Sequence, residues 1–326
     1  MLDYWNNYPT IQEKLKAVCS LIETQVQVRN QDIQVALTNL AQAGGKMLRP
    51  ALFLLFSEIG DKAKQDEEQL IKVATSLEIL HMATLIHDDI IDDSPLRRGL
   101  ITVQAEYGKD VAVYTGDLLF TVFFDLLADA MNGSEFLHTN ARSMKRLLLG
   151  ELDQMHIRFD QNQTLSDYLR SVNGKTAELF WLSCIEGAHF GKTDVETQQL
   201  AGRIGRNIGV AFQVYDDILD YVSDSETLKK PVLEDLAQGV YTLPLLLAKE
   251  AHPEAFSPYL DKKQAITTEE AQKVSALVLE YDGVEKAKEF ALSFTEKALA
   301  EIELLPDSSG KTMIKQLTSD LLGRDY

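Results

Sequence analysis

An acidic cluster set in an apolar stretch constrains the fold of this chain more than any other feature. The cluster is Asp88-Asp89-Ile-Ile-Asp92, and it follows a run of residues typical of a buried helix. At about 100° per residue, a helix places Asp88 and Asp92 one turn apart with Asp89 close beside them. Burying unneutralised carboxylates is costly, so the pattern predicts a cation site. The alternative is an acidic helix end that is exposed to solvent, because runs of charged residues usually lie on the surface.

A second segment repeats this arrangement as Asp216-Asp217-Ile-Leu-Asp220, again after apolar residues. Carboxylate oxygens suit hard cations such as Mg²⁺, which keeps several waters and shares its ligands with substrate phosphates. If the two helices face each other, six carboxylates meet across one cavity. That charge suits a cluster of Mg²⁺ ions clamping a diphosphate and exceeds what a single ion needs.

The composition of the 326 residues narrows the class of protein. A net charge of −18 disfavours nucleic acid and anionic membrane surfaces as partners, because both attract basic patches. The two cysteines, Cys19 and Cys184, form neither a metal-ligand spacing nor a disulfide framework. We see no signal peptide and no apolar run near the ~20 residues that span a bilayer, so we expect a soluble cytoplasmic protein.

Helical spacing of apolar residues runs through almost the whole chain. It covers residues 11–40 and predicts a long buried helix over residues 69–93, which carries the first acidic cluster. No proline occurs between Leu96 and Lys230, which favours several long helices. Alternating strand-like segments are missing. The sequence therefore predicts one all-α domain over residues 1–326, a large bundle with its site between facing helices.

Basic side chains accompany the acidic clusters. Lys46 and Arg49 stand three residues apart where a helix begins, and a helix N-terminus adds its own N–H groups to an anion site. Arg97 and Arg98 follow the first cluster, and His81 lies two turns before it. Taken singly, such residues are more often solvated charges or a hydrogen-bonded core histidine. Together they predict a second anion site that needs no metal.

Further polar groups interrupt later apolar segments. Asn173-Gly-Lys-Thr176 is no Walker loop, because the spaced glycine and the preceding strand are missing, and Gln213 precedes the second cluster. Two diphosphates that meet in an apolar cavity suggest that one ionises and the other attacks. Metal would stabilise the leaving diphosphate, and a dry cavity would protect a carbocation from water.

These motifs make the chain resemble the trans-isoprenyl diphosphate synthases, or polyprenyl synthetases. The resemblance runs from Gly44 to Leu247 and is closest to the catalytic component of bacterial heptaprenyl diphosphate synthase. It implies a single-domain bundle of the isoprenoid synthase type with a deep central cavity. It also implies three Mg²⁺ ions per site, and either a homodimer or a heteromer with a small regulatory subunit. Contact with a membrane would be peripheral at most, for product release.

The resemblance assigns roles to individual residues. The metal ligands, also catalytic together with Lys175, would be Asp88, Asp89, Asp92, Asp216, Asp217 and Asp220. The isopentenyl diphosphate ligands would be Lys46, Arg49, His81 and Arg98. The allylic diphosphate ligands would be Arg97, Lys175, Thr176, Gln213 and Lys230. One departure is Lys229, where the family usually has glycine, and it makes the role of Lys230 less secure.

Product length should depend on the helix face one turn before Asp88. Ala83 and Thr84 are small there, where short-chain members of the family tend to place aromatic rings. We therefore expect a long all-trans product of about six to eight units, heptaprenyl favoured, in a pocket whose size sets specificity. Leu80, Phe120 and Phe124 would close the pocket further down. A farnesyl or geranylgeranyl product is the alternative.

Other classes of protein fit the sequence less well. Glu78-Ile-Leu-His81 and Glu186-Gly-Ala-His189 match the paired Glu-x-x-His of di-iron helical proteins, but that interpretation leaves both acidic clusters unexplained. An ionising terpene cyclase would not need the second anion site. A non-catalytic partner subunit would not need all six carboxylates.

Overall fold

The computed structural model describes residues 2–42, 45–222 and 234–322, and they are almost entirely helical. Short 3₁₀ turns occur at Leu2–Trp5, Lys62–Lys64 and Lys263–Ala265, and a π-helical segment at Asn173–Ala177. The α-helices are α1 (Pro9–Gln25), α2 (Gln31–Gln42), α3 (Leu48–Ser57), α4 (Glu67–Ile91), α5 (Val103–Tyr107), α6 (Lys109–Ala130), α7 (Phe136–His156), α8 (Leu165–Val172), α9 (Glu178–Phe190), α10 (Val195–Val222), α11 (Glu234–Ala237), α12 (Leu243–Ala251), α13 (Pro253–Leu260), α14 (Thr268–Glu280), α15 (Gly283–Glu303) and α16 (Ser309–Leu322). The prediction of an all-α fold is confirmed.

Helix α4 carries the first acidic cluster and begins two residues before its predicted start. The side chain of Asp66 accepts a hydrogen bond from the backbone N–H of Gln69 and so caps the helix.

By length and composition, α4 and α6 both qualify as possible membrane spans, which corrects the expectation that no apolar run reaches that length. Of the 18-residue apolar stretch by which α4 qualifies, 67% is buried inside the protein, as in a core helix.

The predicted helical run over residues 11–40 is broken into α1 and α2. The side chain of Gln34 holds the break, because it accepts from the backbone N–H of Val28 and donates to the carbonyl of Val26. Asn30 then caps α2, since its side-chain oxygen accepts from the N–H groups of Asp32 and Ile33. Periodicity alone cannot reveal such a break, because both helices bury apolar residues at helical spacing.

A short β-hairpin follows the first acidic cluster, although the sequence showed no alternating strand-like segment. Strands β1 (Leu96–Arg97) and β2 (Leu100–Ile101) pair antiparallel. The two residues of the turn, Arg98 and Gly99, have φ angles of 52° and 80°. Positive φ at both positions is typical of a type I′ turn, which matches the twist of the flanking strands. The hairpin therefore places Arg98 at its tip.

The chain divides into two compact units. The first comprises Met1–Ala141, Leu182–Gly202 and Leu305–Ile314, and the second Arg142–Trp181, Arg203–Leu304 and Lys315–Tyr326. In the first unit every residue of α3 except Arg49 is buried. In the second, α10, α12, α14 and α15 contribute to a continuous apolar core. The single domain over residues 1–326 stays a prediction.

Candidate active site

The first acidic cluster lies at the end of α4, in the first unit. Asp88 and Asp92 are half-buried, whereas Asp89 is only 4% exposed. The guanidinium Nε of Arg97 donates to Oδ1 of Asp89 at 2.7 Å. Burial raises the pKa of Asp89 to about 6, with a further contribution from the charges of Asp88 and Asp92, although Arg97 opposes the shift. Asp89 and Arg97, predicted to bind metal and diphosphate, are therefore already paired with each other.

The hairpin borders a cavity of about 300 Å³ within the first unit. Asp89, Arg97 and Arg98 line it together with apolar side chains such as Ile86. The backbone of Gly45 packs against the Arg98 side chain, since a Cβ at this glycine would lie 2.7 Å from Nη1 of Arg98. The two arginines thus border a space in which an anion could be bound.

Three of the four predicted isopentenyl diphosphate ligands form one electrostatic group in the first unit. Burial lowers the pKa of His81 well below its usual value, and the positive charges of Arg49, Arg98 and Arg97 lower it further. Burial also lowers the pKa of Arg49 to about 10, opposed by the carboxylate of Glu78. His81 is therefore a neutral hydrogen-bonding group. The sequence interpretation gave Glu78 no role here, although a glutamate within an apolar helical stretch could have indicated a charged partner nearby.

The fourth predicted ligand, Lys46, contacts two aromatic residues near the start of the chain. The indole N–H of Trp5 donates to the backbone carbonyl of Lys46 at 2.7 Å, and Trp5 is fully buried. The ammonium group of Lys46 lies 4.9 Å from the centre of the Tyr4 ring, a cation–π distance. The sequence interpretation assigned no role to these two aromatic residues.

The second acidic cluster lies on α10, in the second unit. Asp216 is exposed, whereas Asp217 and Asp220 are buried. Asp217 accepts hydrogen bonds from the hydroxyl of Tyr168 at 2.7 Å and from the amide of Gln213 at 2.8 Å. Burial raises the pKa of Asp217 to about 8, the two hydrogen bonds lower it, and neighbouring carboxylates raise it. The second aspartate of this cluster is thus also held by the protein.

Three predicted allylic diphosphate ligands are connected within the second unit. Thr176 donates to the amide oxygen of Gln213 at 2.5 Å, and Gln213 in turn donates to Asp217. The ammonium group of Lys175 contacts Glu151 at 3.0 Å and Gln154 at 3.3 Å. Lys175 and Thr176 both belong to the π-helical segment, which the sequence interpretation did not identify.

The two remaining predicted allylic ligands lie elsewhere. Arg97 belongs to the first unit, where it contacts Asp89. Lys230 and the unusual Lys229 lie outside the described residues.

The residues predicted to limit product length belong to α4 and α6 in the first unit. Leu80 and Ala83 have no exposed surface, and the hydroxyl of the half-buried Thr84 donates to a backbone carbonyl of α4. Phe120 is half-buried, whereas Phe124 is 43% exposed. Their assignment to a pocket stays a prediction.

The donor set suits Mg²⁺ better than iron. Among the described residues, no group of three or more His, Cys, Asp and Glu side chains is arranged to hold a metal by itself. Carboxylate oxygens nevertheless fit a hard cation whose other ligands are waters and a diphosphate. The di-iron alternative loses its support, because Glu186 accepts from Asn140 and the His189 ring stacks on Phe136 at 4.0 Å.

Comparison with known proteins identifies the family. Residues 30–279 match the family described as polyprenyl synthetase. The chain belongs to the polyprenyl synthetase family. It is 33% identical over 324 residues to heptaprenyl diphosphate synthase component 2 of Geobacillus stearothermophilus, covering 98% of each chain. The chain is therefore a trans-prenyltransferase, as the motifs predicted.

Solved structures of this family share the fold. Geranylgeranyl pyrophosphate synthase of Lactobacillus brevis is 43% identical, with a TM-score of 0.94 over 99% of this chain and 100% of that one. A polyprenyl synthase of Caulobacter crescentus, complexed with calcium and isoprenyl diphosphate, is 29% identical, with a TM-score of 0.90 over 98% and 97%. The predicted isoprenoid synthase fold is thereby confirmed, whereas these names leave the product length open.

Proposed function

We propose that this polyprenyl synthetase condenses isopentenyl diphosphate head-to-tail with an allylic diphosphate into a long all-trans chain of about six to eight units. Heptaprenyl diphosphate is the favoured product. The observation that carries this proposal is the pair of small residues before the first acidic cluster. Ala83 is fully buried on α4, and in this proposal a phenylalanine there would block the growing chain. Membership of the family and the name of the G. stearothermophilus relative support it.

In this reaction the carbon–oxygen bond of the allylic diphosphate breaks, the double bond of isopentenyl diphosphate attacks, and a proton is lost. We propose that Asp88, Asp92 and Asp216, with the other three aspartates, hold about three Mg²⁺ ions that supply positive charge to the leaving diphosphate. The calcium and isoprenyl diphosphate named with the C. crescentus structure support a divalent cation here. Lys175 and Arg97 would donate to the same diphosphate.

The second substrate would be bound without metal. Arg49 and Arg98 would hold isopentenyl diphosphate with Lys46, and the neutral His81 would donate one hydrogen bond. The apolar residues of the helices would exclude water, so that the allylic cation reacts with the double bond before it is hydrolysed.

One finding favours a shorter product. The L. brevis structure with 43% identity to this chain is named a geranylgeranyl synthase, whose product contains four units. The test is a product-length assay of the protein alone with isopentenyl diphosphate, Mg²⁺ and short allylic primers. Products of six to eight units support the long-chain proposal, and termination at four units would refute it.

A single substitution tests the residue that carries the proposal. Ala83→Phe should shift the products to about three or four units while the first condensation keeps its rate, because the ring blocks the chain and not the diphosphates. Ala128→Phe, the same change at an exposed position of α6, is the matched control and should leave the products unchanged. An active Ala83→Phe enzyme with wild-type products would show that the chain runs elsewhere.

We also propose that the active enzyme is an assembly in the cytoplasm. The word "component" in the name of the G. stearothermophilus protein implies that it works with another polypeptide, and the same arrangement or a homodimer would suit this chain. Light scattering of the purified chain, combined with the assay above, separates the two: an active homodimer needs no other subunit.

A further inference from the structure

The π-helical segment Asn173–Ala177 joins α8 to α9 and carries two predicted ligands. A π turn forms i→i+5 hydrogen bonds, is rare, and is found frequently at functional sites. The extra residue rotates the side chains of the turn relative to those of a regular α-helix. Whatever holds this turn therefore decides where Lys175 and Thr176 point.

Helix α7 holds one side of the π turn. Ser143, Arg146 and Gly150 follow at i, i+3 and i+7, which places them on one face of the helix. At Gly150 the helix meets the turn backbone to backbone, since a Cβ there would lie 2.7 Å from the Cα of Gly174. A side chain at either glycine would push the turn away from α7.

Helix α10 holds another side of the turn with the same spacing. Arg206, Gly209 and Gln213 again follow at i, i+3 and i+7. A Cβ at Gly209 would lie 2.6 Å from the Cα of Ala177, the last residue of the turn. Gln213 accepts the hydroxyl hydrogen of Thr176. Two helices thus contact the turn through glycines, and each carries an arginine one turn from its glycine.

Glu178 connects these two helices directly after the turn. Its side chain is 2% exposed, and its Oε1 accepts from Ser143 Oγ at 2.6 Å and from Arg146 Nε at 2.9 Å. Its other oxygen lies 3.7 Å from Nη2 of Arg206. Both guanidinium groups also lie near the ring of Trp181, at 5.2 and 5.9 Å. The carboxylate therefore links both arginines at the point where the π turn ends.

We infer that Glu178 is a positioning residue for the allylic diphosphate site: it fixes the π turn so that Lys175 and Thr176 point towards the substrate. This inference rests on the proposed role of Lys175 and Thr176 in binding that diphosphate. Glu178 itself touches no substrate.

A purely stabilising ion pair explains this arrangement less well. Buried ion pairs are weak contributors to stability, because desolvation offsets the attraction, and apolar residues often replace them without loss. A second arginine–glutamate pair involves the same helix: Arg203 of α10 donates to Glu301 of α15 at 2.9 Å, away from the π turn, with the Glu301 side chain 23% exposed against 2% for Glu178. This second pair provides matched controls for both charges.

The experiment measures the KM for each substrate separately, at saturating Mg²⁺ and a saturating level of the other substrate. Glu178→Gln keeps the shape and removes the charge, and we expect the KM for the allylic diphosphate to rise about tenfold. The KM for isopentenyl diphosphate should stay within about twofold. Glu178→Asp, which keeps the charge, should lie closer to the wild type. Glu301→Gln should change neither KM.

A second pair of variants changes exposed side chains, which disturb the packing of the core less. Arg206 and Arg203 are both exposed, with side-chain exposures of 45% and 57%. Arg206→Gln should raise the allylic KM several-fold, whereas Arg203→Gln should not. Thermal unfolding of all variants shows whether any KM change merely follows lost stability.

The outcomes separate this inference from the proposed function. If Lys175→Ala raises the allylic KM but Glu178→Gln and Arg206→Gln behave like their controls, the positioning role is overturned and the substrate site stands. Equal changes in both KM values for Glu178→Gln would also overturn it. If Lys175→Ala leaves the allylic KM unchanged, the assigned diphosphate site fails, and the positioning role fails with it.

Discussion

The two acidic clusters have the same sequence spacing, yet the structure surrounds their second aspartates differently. Asp89 in the first unit accepts from a cation, the guanidinium of Arg97, at 2.7 Å. Asp217 in the second unit accepts from neutral groups, the hydroxyl of Tyr168 and the amide of Gln213, at 2.7 and 2.8 Å. Both aspartates are 4% exposed, so they differ in partners and not in exposure.

Burial is the largest cause of the raised pKa of both aspartates, and their partners oppose it in different ways. The pKa of Asp89, opposed by the positive charge of Arg97, is about 6, and that of Asp217, opposed by hydrogen bonds from neutral groups, is about 8. In each cluster the first aspartate, Asp88 or Asp216, is less buried than the second. The comparison teaches that the same motif places a more accessible carboxylate beside a buried one that already contacts neighbouring side chains.

The largest expected effect concerns the first aspartates. Asp88→Ala and Asp216→Ala should each lower turnover by at least ~10²-fold, as happens when a group that stabilises transition-state charge is removed. The measurement is kcat at saturating Mg²⁺. Asp125→Ala, which removes an exposed carboxylate from α6, is the control and should stay near wild type. Near-normal turnover in either cluster variant would break the equivalence of the two motifs.

A smaller effect should distinguish the second aspartates. Asp89→Asn removes the charge that holds Arg97, so we expect the KM for the allylic diphosphate to rise about tenfold. Asp217→Asn keeps an oxygen that can accept from a neutral donor, so its KM should rise no more than about threefold. Steady-state kinetics of both variants measure the difference. An Asp217→Asn enzyme as impaired as Asp89→Asn would contradict the distinction between cationic and neutral partners.

Within the first unit, Arg97 and Arg98 should respond differently to the same change. Lysine keeps the charge but loses the planar fork of the guanidinium. Arg98→Lys should raise the KM for isopentenyl diphosphate several-fold, and Arg97→Lys that for the allylic diphosphate. Separate KM determinations for the two substrates provide the readout. Equal effects on both substrates in either variant would refute the assignment.

The smallest expected effect is on stability as a function of pH. The folded-state pKa of Asp217, about 8, lies above its usual 3.8, so the neutral form favours folding. This contribution is fully present below pH ~4 and is lost as the pH rises through ~8. Without Mg²⁺, the Tm of the wild type should therefore fall by several degrees more than that of Asp217→Asn over this range. Asp89→Asn is the comparison, because the contribution of Asp89 should be lost by about pH 6. Parallel Tm profiles for wild type and Asp217→Asn would argue against a neutral Asp217.

The sequence by itself determined the fold class and the chemistry of this protein. Apolar residues at helical spacing predicted an all-α chain, and α4 was predicted within two residues at each end, because buried helices repeat their apolar residues locally. The two acidic clusters and the neighbouring arginines led to the polyprenyl synthetase family, because metal-bound diphosphate requires carboxylates at helical spacing and cations nearby. These signals lie within a few residues of each other, so the chain alone reveals them.

Tertiary structure alone decided which partners those residues have. Ser143 and Arg206 reach Glu178 from other helices, and Tyr168 reaches Asp217 from 49 residues away, contacts that no local spacing encodes. Nothing in the sequence indicated that Asn173–Ala177 forms a π turn, and it is the packing of distant Gly150 and Gly209 against this turn that only the structure reveals. Local periodicity determines helices because each turn repeats the same geometry, whereas a side chain's partner depends on how distant helices pack.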